Sequence, residues 1–142
     1  MRNLLKNQKL IKKKWYILDV KDKILGRIAT KVSIILSGKN KPEYNTNIDN
    51  GDYIIIINSN KIKITGNKFN KKIYYKHSGY IGGLKKITFK DKILKDPNFI
   101  IKNAIKGMLP KGPLGRSMLK KLKIYHNDKH NHEAQKPKIL LI

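Results

Sequence analysis

Apolar residues change their spacing near the start of the chain. Residues 15–20 form a continuous apolar and aromatic run, which is typical of a buried strand. From Ile24 onward the apolar positions recur three or four residues apart, and this period predicts an amphipathic helix that ends at Gly38. A strand, a short turn and a helix in this order form the first half of a βαβ unit.

A second apolar run, residues 53–58, contains four consecutive isoleucines. Such a run is typical of a strand buried on both faces, as in a parallel sheet covered by helices. Residues 61–64 alternate between lysine and isoleucine and predict a short, half-exposed strand. Residues 67–86 contain three glycines, and we expect a loop there.

The pattern in the C-terminal half predicts three helical segments and a strand. Residues 88–96 form a short helix, and Asp96-Pro97 starts a longer one, with Asp as the N-cap and Pro in the first turn. Gly112-Pro113 ends that helix, and the apolar spacing from Leu114 predicts another helical turn or two. A final strand is expected over residues 123–125.

These elements predict one α/β domain with extended ends. Residues 1–14 carry six positive charges and no acid, so we expect a basic arm that becomes ordered on a partner. The domain is expected to span residues 15–126. Residues 127–142 are expected to form a polar tail that packs back on the domain or on rRNA, with the apolar end, residues 139–142, suited to docking onto the domain.

The net charge of the chain limits the kinds of partner that the protein can have. The chain has 142 residues with 33 Lys and Arg against 9 Asp and Glu, a formal charge of +24. Repulsion of this size destabilises a compact chain unless anions neutralise it, so a nucleic acid is the expected partner. Lys, Ile and Asn are abundant, as an A/T-rich genome would produce. The three arginines are therefore better functional candidates than any single lysine.

Several classes of protein are excluded or disfavoured by what the sequence lacks. The absence of cysteine excludes disulfides, cysteine-bound zinc and thiol catalysis. No apolar run is long enough for a membrane span, and no signal peptide precedes the domain, so we expect a cytoplasmic or organelle-interior protein.

The sequence gives little evidence for a catalytic or metal-binding site. Ser78 directly follows His77, a geometry unsuited to a nucleophile and its base. Asp49 and Asp52 flank Gly51 before a strand, where turn and capping roles are commoner than catalysis. The three histidines between residues 126 and 132 fit no zinc signature. We predict no catalytic residue, no metal and no cofactor.

Basic residues interleave with aromatics and glycines over residues 74–86, within an acid-free stretch of the chain. Lysine neutralises phosphates, tyrosine and histidine stack on unpaired bases, and glycine lets the backbone approach a phosphate. The alternative is a solvated loop whose tyrosines lie partly in the core. The RNA-contact candidates are Lys76, His77, Tyr80 and Lys85.

A second cluster, residues 106–123, holds six positive charges, three glycines, two prolines and no acid. Arg116 offers a planar fork for bidentate phosphate binding, which lysine cannot match. A purely structural turn remains the alternative. The candidates are Lys106, Lys111, Arg116, Lys120, Lys121 and Lys123, and in the tail His130 and His132, where a solvated segment is the alternative.

Motifs in a fixed order now carry a family resemblance: Trp15-Tyr-Ile-Leu-Asp19, Leu25-Gly-Arg-Ile-Ala29, Gly38-Lys-Asn-Lys41, Gly51-Asp52, His77-Ser-Gly-Tyr80 with Gly82-Gly-Leu-Lys85, Lys106-Gly-Met-Leu-Pro110 with Leu114-Gly-Arg116, and His130-Asn-His132 with Gln135-Lys-Pro137. The chain resembles the bacterial type of the ribosomal protein L13 family. It departs from the family pattern at Tyr44–Asn47, which lacks a proline, and at Ile81, where proline is common.

The resemblance implies a three-layer α/β/α fold with a four-stranded, largely parallel sheet. It also implies a structural, non-enzymatic constituent of the large ribosomal subunit that binds 23S-type rRNA early in assembly, beside neighbouring ribosomal proteins. Arg27 and Lys39 join the rRNA-contact set through the resemblance. The rival functions are a nucleoid-type DNA-binding protein, which lacks a helix-turn-helix pattern here, and a nucleic-acid-processing enzyme, which lacks a catalytic constellation.

Overall fold

The structure, a computed structural model, describes residues 12–141. Residues 1–11 of the expected basic arm lie outside the described residues. The elements in chain order are β1 (Trp15–Asp19), α1 (Leu25–Ser37), β2 (Tyr53–Ile57), a 3-10 helix (Ser59–Lys61), α2 (Lys68–Lys71), β3 (Ile73–His77), β4 (Leu84–Thr88), α3 (Phe89–Lys95), α4 (Pro97–Met108), α5 (Pro113–Lys120), β5 (Leu122–Ile124) and β6 (Lys138–Ile139).

Four strands form one parallel sheet in the order β5-β2-β1-β6. β1 and β2 pair over their full lengths, beginning with Trp15 beside Tyr53. The tail supplies β6, which pairs with the edge of β1 where Ile139 lies beside Ile17. The predicted α/β class, with a four-stranded parallel sheet flanked by helices, is confirmed.

Side chains of β2 are buried on both faces of the sheet. Ile54, Ile55 and Ile56 are all fully buried, and successive side chains of a strand point to opposite faces. Ile54 and Ile56 join the main core with Leu18 of β1, whereas Ile55 lies on the opposite face. The prediction of a doubly buried strand from its run of isoleucines is confirmed.

The helices α1 and α4 pack against each other over the main core. α1 contributes Ile28, Val32 and Leu36, and α4 contributes Ile101 and Ile105, at the helical spacing that buries one face. No helix within residues 12–141 is long and apolar enough to cross a membrane.

The end of α1 and the start of α4 form as the sequence predicts, whereas α4 ends at Met108, before the predicted stop at Gly112-Pro113. Gly38 ends α1 in the left-handed conformation, with φ at +80°, and its N–H bonds the Ile35 carbonyl. The Asp96 side chain accepts a hydrogen bond from the N–H of Phe99, and Pro97 occupies the first turn of α4.

Residues 67–86, predicted to be a loop, instead contain α2 and most of an antiparallel β3–β4 hairpin. Most side chains of this hairpin are exposed, so no alternation of apolar and polar residues marks its strands. The strand predicted over residues 61–64 is also wrong. Its start belongs to the 3-10 helix, and Lys63 makes only an isolated parallel bridge to Ile24.

Candidate nucleic-acid interface

The β3–β4 hairpin pairs two of the predicted contact lysines. Lys76 and Lys85 are directly opposite each other across the two strands. Like charges in this position destabilise a strand pair, and an anion bound beside them relieves the repulsion. One pair further along, the Lys86 ammonium lies 5.9 Å from the centre of the Tyr75 ring. Because neighbouring residues of a strand point to opposite faces, the hairpin offers phosphate-binding charge on one face and the exposed Tyr75 ring on the other.

The tip of the hairpin is a defined turn that presents two bare side chains. Tyr80 is 80% exposed and Ile81 is fully exposed. The N–H of Gly79 donates to Nδ1 of His77 at 2.9 Å, and the N–H of Gly83 donates to the Tyr80 carbonyl at 2.9 Å. Because Nδ1 of His77 accepts, the neutral ring carries its proton on Nε2, where it is a donor.

A cavity of about 560 Å³ lies between α4 and α5; we call it the α4–α5 cavity. Phe99, Leu109 and Leu119 supply apolar lining. Its positive charges are those of Lys102, Lys106, Lys111 and Arg116, three of them from the predicted contact set.

A second cavity, of about 630 Å³, lies on the α1 side of α4; we call it the α1–α4 cavity. It contains Arg27 together with Lys68 and Lys72, and Asn103 lines both cavities. Among the residues described, neither cavity is lined by an acid. One arginine therefore lies on each side of α4, in a cavity whose charges are all positive.

His130 and His132 lie with aromatic rings on the other face of the sheet. Trp15 stacks on Tyr53 with ring centres 4.3 Å apart, and His132 lies 5.1 Å from Trp15. Tyr125 contacts both histidine rings. These histidines are half-buried in a packing cluster, apart from the two cavities.

The remaining candidates are placed as follows. Lys123 pairs in register with Ile55, so its side chain shares the sheet face of the histidine cluster. Lys120 is exposed on α5 and lines neither cavity. Lys39 is exposed directly after the end of α1.

Lys121 is not part of this surface, and its prediction as an rRNA contact is corrected here. The residue is only 3% exposed, and its ammonium donates to the Leu36 carbonyl at 3.0 Å and to the Asp49 carboxylate. Burial lowers the pKa of Lys121, and hydrogen bonding and charge attraction by Asp49 oppose that shift. An ammonium held in this way is unavailable to a phosphate.

Asp52 forms a second internal ion pair beside this one. It is fully buried, accepts the Lys41 ammonium at 2.6 Å and accepts the backbone N–H of Lys14 at 2.8 Å. The Lys13 ammonium lies 3.2 Å from Asp49. The two carboxylates thus attach the end of the basic arm to the domain by ion pairs and a hydrogen bond between distant segments, which differs from the local turn and capping roles expected of them.

Comparison with known proteins decides the family. The family model described as ribosomal protein L13 matches residues 13–131. The chain belongs to the ribosomal protein L13 family. It is 60% identical to the large ribosomal subunit protein uL13 of Buchnera aphidicola subsp. Baizongia pistaciae over 131 residues, which cover 92% of this chain and 91% of the relative.

Two further L13 relatives support this assignment. The large ribosomal subunit protein uL13 of Vesicomyosocius okutanii is 56% identical over 92% of both chains. That of Teredinibacter turnerae is 51% identical over 99% of both chains. The resemblance inferred from the ordered motifs is confirmed.

Sequence reasoning on this L13-family chain missed three cavity lysines: Lys68, Lys72 and Lys102. A usable signal was present for Lys102, because it lies four residues before Lys106 and such pairs share one helix face. No comparable signal was present for Lys68 and Lys72, since the region was expected to be a loop. Within residues 12–141, no group of three or more His, Cys, Asp or Glu side chains is placed to hold a metal ion.

Proposed function

We propose that this chain is a structural constituent of the large ribosomal subunit that binds 23S-type rRNA. One observation carries the proposal: two acid-free cavities flank α4, and each contains one arginine among lysines. The relatives at 50–60% identity are named large ribosomal subunit protein uL13, which agrees with a ribosomal role.

Binding combines phosphate neutralisation with recognition of RNA shape. Arg27 and Arg116 each offer a planar fork to a phosphate group. Lys76 and Lys85 hold a backbone segment along the hairpin, and Tyr80 at the tip stacks on an unpaired base. The α4 helix separates the two cavities, so one rigid element sets the spacing of two RNA segments.

Other parts of the chain extend the same role. We propose that the basic arm, residues 1–14, contacts further rRNA or neighbouring large-subunit proteins. The tail, residues 127–142, packs on the domain of residues 15–126 through β6 and adds rRNA contacts there. The proposed contact set is completed by Lys39, His77, Lys106, Lys111, Lys120, Lys123, His130 and His132. The protein acts by binding during early subunit assembly in the bacterial cytoplasm, with no catalytic step, cofactor, metal or small-molecule substrate.

The first test is the salt dependence of rRNA binding. With about 8–12 phosphates contacted, the logarithm of the association constant falls against the logarithm of salt concentration with a slope of roughly −6 to −11. A flat salt response, or a preference for duplex DNA over 23S rRNA in competition, contradicts the proposal. The latter result favours a nucleoid-type role.

The second test is sedimentation. The protein is expected to sediment with the large ribosomal subunit after a high-salt wash, because an integral constituent is held by many simultaneous contacts. Its recovery in the soluble fraction, with large subunits intact and free of it, contradicts the proposal.

A further inference from the structure

The α4–α5 cavity has an apolar floor as well as positive charge. Leu109 is buried to 6% exposure, and Phe99 and Leu119 line the same space. A surface that only neutralised phosphates would need no such floor. The volume of about 560 Å³ lies within the range of about 300–1,000 Å³ that small-molecule sites occupy.

The wall of the cavity is held in place before any ligand arrives. A Cβ on Gly115 would lie 1.8 Å from the Pro110 carbonyl oxygen, so only glycine permits this approach of α5 to the preceding loop. Gly112 has φ at +132°, a conformation that L side chains rarely adopt, and its carbonyl accepts the N–H of Arg116. The loop and the first turn of α5 therefore form one fixed unit.

Three features of the lining match the parts of a nucleotide. The floor of Leu109 and Leu119 suits the flat face of a base, which Phe99 can also contact. The Asn103 amide offers both a donor and an acceptor to a base edge. The surrounding cations, Arg116 above all, suit a phosphate. A base within a regular helix is stacked on both sides and cannot enter such a space, whereas an unstacked base can.

We propose that the α4–α5 cavity takes one unstacked nucleotide of the bound RNA, with its base on the apolar floor and its phosphate on Arg116. This inference rests on the proposed rRNA-binding function and adds the mode of recognition. An acidic side chain of a neighbouring protein would satisfy the cations but has no ring for the floor, so the nucleotide is the better match.

The direct test measures the NMR resonances of the leucine methyl groups that form the apolar floor. In the full-length protein with methyl-labelled leucine, hexa-adenylate is expected to shift the Leu109 and Leu119 resonances saturably. The methyls of Leu94, which is 79% exposed on α3, should not shift. Equal floor shifts with inorganic phosphate or with an RNA duplex of the same length overturn the proposal. So do equal shifts with hexaglutamate, which would indicate a protein partner.

A blocking variant tests the same idea on rRNA. Asn103 is exposed on α4, and Asn103→Trp places a large ring at the cavity without changing charge. Because Asn103 also lines the α1–α4 cavity, Gly107→Trp, at an exposed α4 position that lines only that second cavity, is the comparison, and an equal loss with it overturns the proposal. Base stacking is worth about 1–3 kcal/mol, so affinity for 23S rRNA should fall roughly 5- to 150-fold with the salt slope unchanged. Ser117→Trp is the matched control, because Ser117 is exposed on α5 and does not line the cavity.

The outcomes separate the two proposals. If the wild type binds 23S rRNA with the expected salt slope and Asn103→Trp binds equally well, the nucleotide cavity is rejected and the rRNA function stands. If the wild type itself shows no salt-dependent rRNA binding, the function is rejected as well. Thermal unfolding of the tryptophan variants checks that each is folded. If Asn103→Trp is unfolded, the leucine-methyl titration of the wild-type protein tests the nucleotide cavity on its own.

Discussion

Lys121 and Asp49 are separated by 72 positions in the chain and form an internal ion pair. The Lys121 ammonium also bonds the Leu36 carbonyl, so one side chain joins the end of α5 to the end of α1 and to the segment before β2. Two of these segments adjoin members of the proposed contact set, because Lys120 ends α5 and Lys39 follows α1. A lysine in a highly basic chain therefore has a structural role that its neighbours in sequence do not share.

Removing the Lys121 charge should destabilise the fold. Among residues 12–141, Lys121→Met leaves Asp49 with Lys13 as its ion-pair partner, and breaking a buried pair costs about 3–5 kcal/mol where no partner remains. We expect a loss of roughly 2–4 kcal/mol in the free energy of unfolding, measured by urea titration. Lys120→Met, at the exposed neighbouring position, should change stability by less than about 0.5 kcal/mol. Equal effects of the two variants would argue against the pair.

The lowered pKa of Lys121 gives a pH dependence with a definite sign. At pH values between the lowered pKa of Lys121 in the folded protein and its ordinary pKa of 10.5, Lys121 is protonated in the unfolded chain but deprotonated in the folded protein. The contribution of Lys121 to stability therefore rises with pH in this window and is lost as the pH falls through the folded value. The stability difference between wild type and Lys121→Met should be larger at pH 10.5 than at pH 7. A constant difference would contradict the shift.

Gly51 is required by close packing at the same junction. A Cβ there would lie 1.7 Å from the Leu36 carbonyl oxygen and 2.6 Å from the Lys121 ammonium. Gly51→Ala should cost at least about 1–3 kcal/mol, because backbone atoms must move. Gly107 in α4 has open space around it, so Gly107→Ala should stabilise by about 0.5–1 kcal/mol. Thermal melts of the two variants that shift in the same direction would contradict this account.

The central fold was predictable because burial imposes a pattern on the sequence. α1 buries one face, so its apolar residues recur with the helical period, and β2 is covered on both faces, so it reads as an isoleucine run. The β3–β4 hairpin carries no such pattern. It is joined by backbone hydrogen bonds, and most of its side chains are exposed rather than packed in a core.

The candidate site was predictable in composition but not in geometry. Residues 106–123 stood out as basic and rigid, and three of its cations do line one cavity. The sequence does not distinguish the buried Lys121 from the exposed Lys120, because Asp49, the carboxylate that pairs with Lys121, lies far away in the chain. Nor does it reveal that Arg27 and Arg116 lie on the two sides of one helix.

Arg116 should contribute to rRNA affinity through its shape as well as its charge. Arg116→Ala removes a charge-assisted contact and should weaken binding by about 1–3 kcal/mol, with the salt slope reduced in magnitude by roughly 0.9. Arg116→Lys keeps the charge, so its salt slope should equal that of the wild type. Its affinity should still be below that of the wild type, because an ammonium cannot bind a phosphate as a planar fork. Lys31→Ala, exposed on α1 outside both cavities, is the charge-matched control for the alanine variant. Full recovery of affinity by Arg116→Lys in filter-binding titrations would show that charge alone is used at this position.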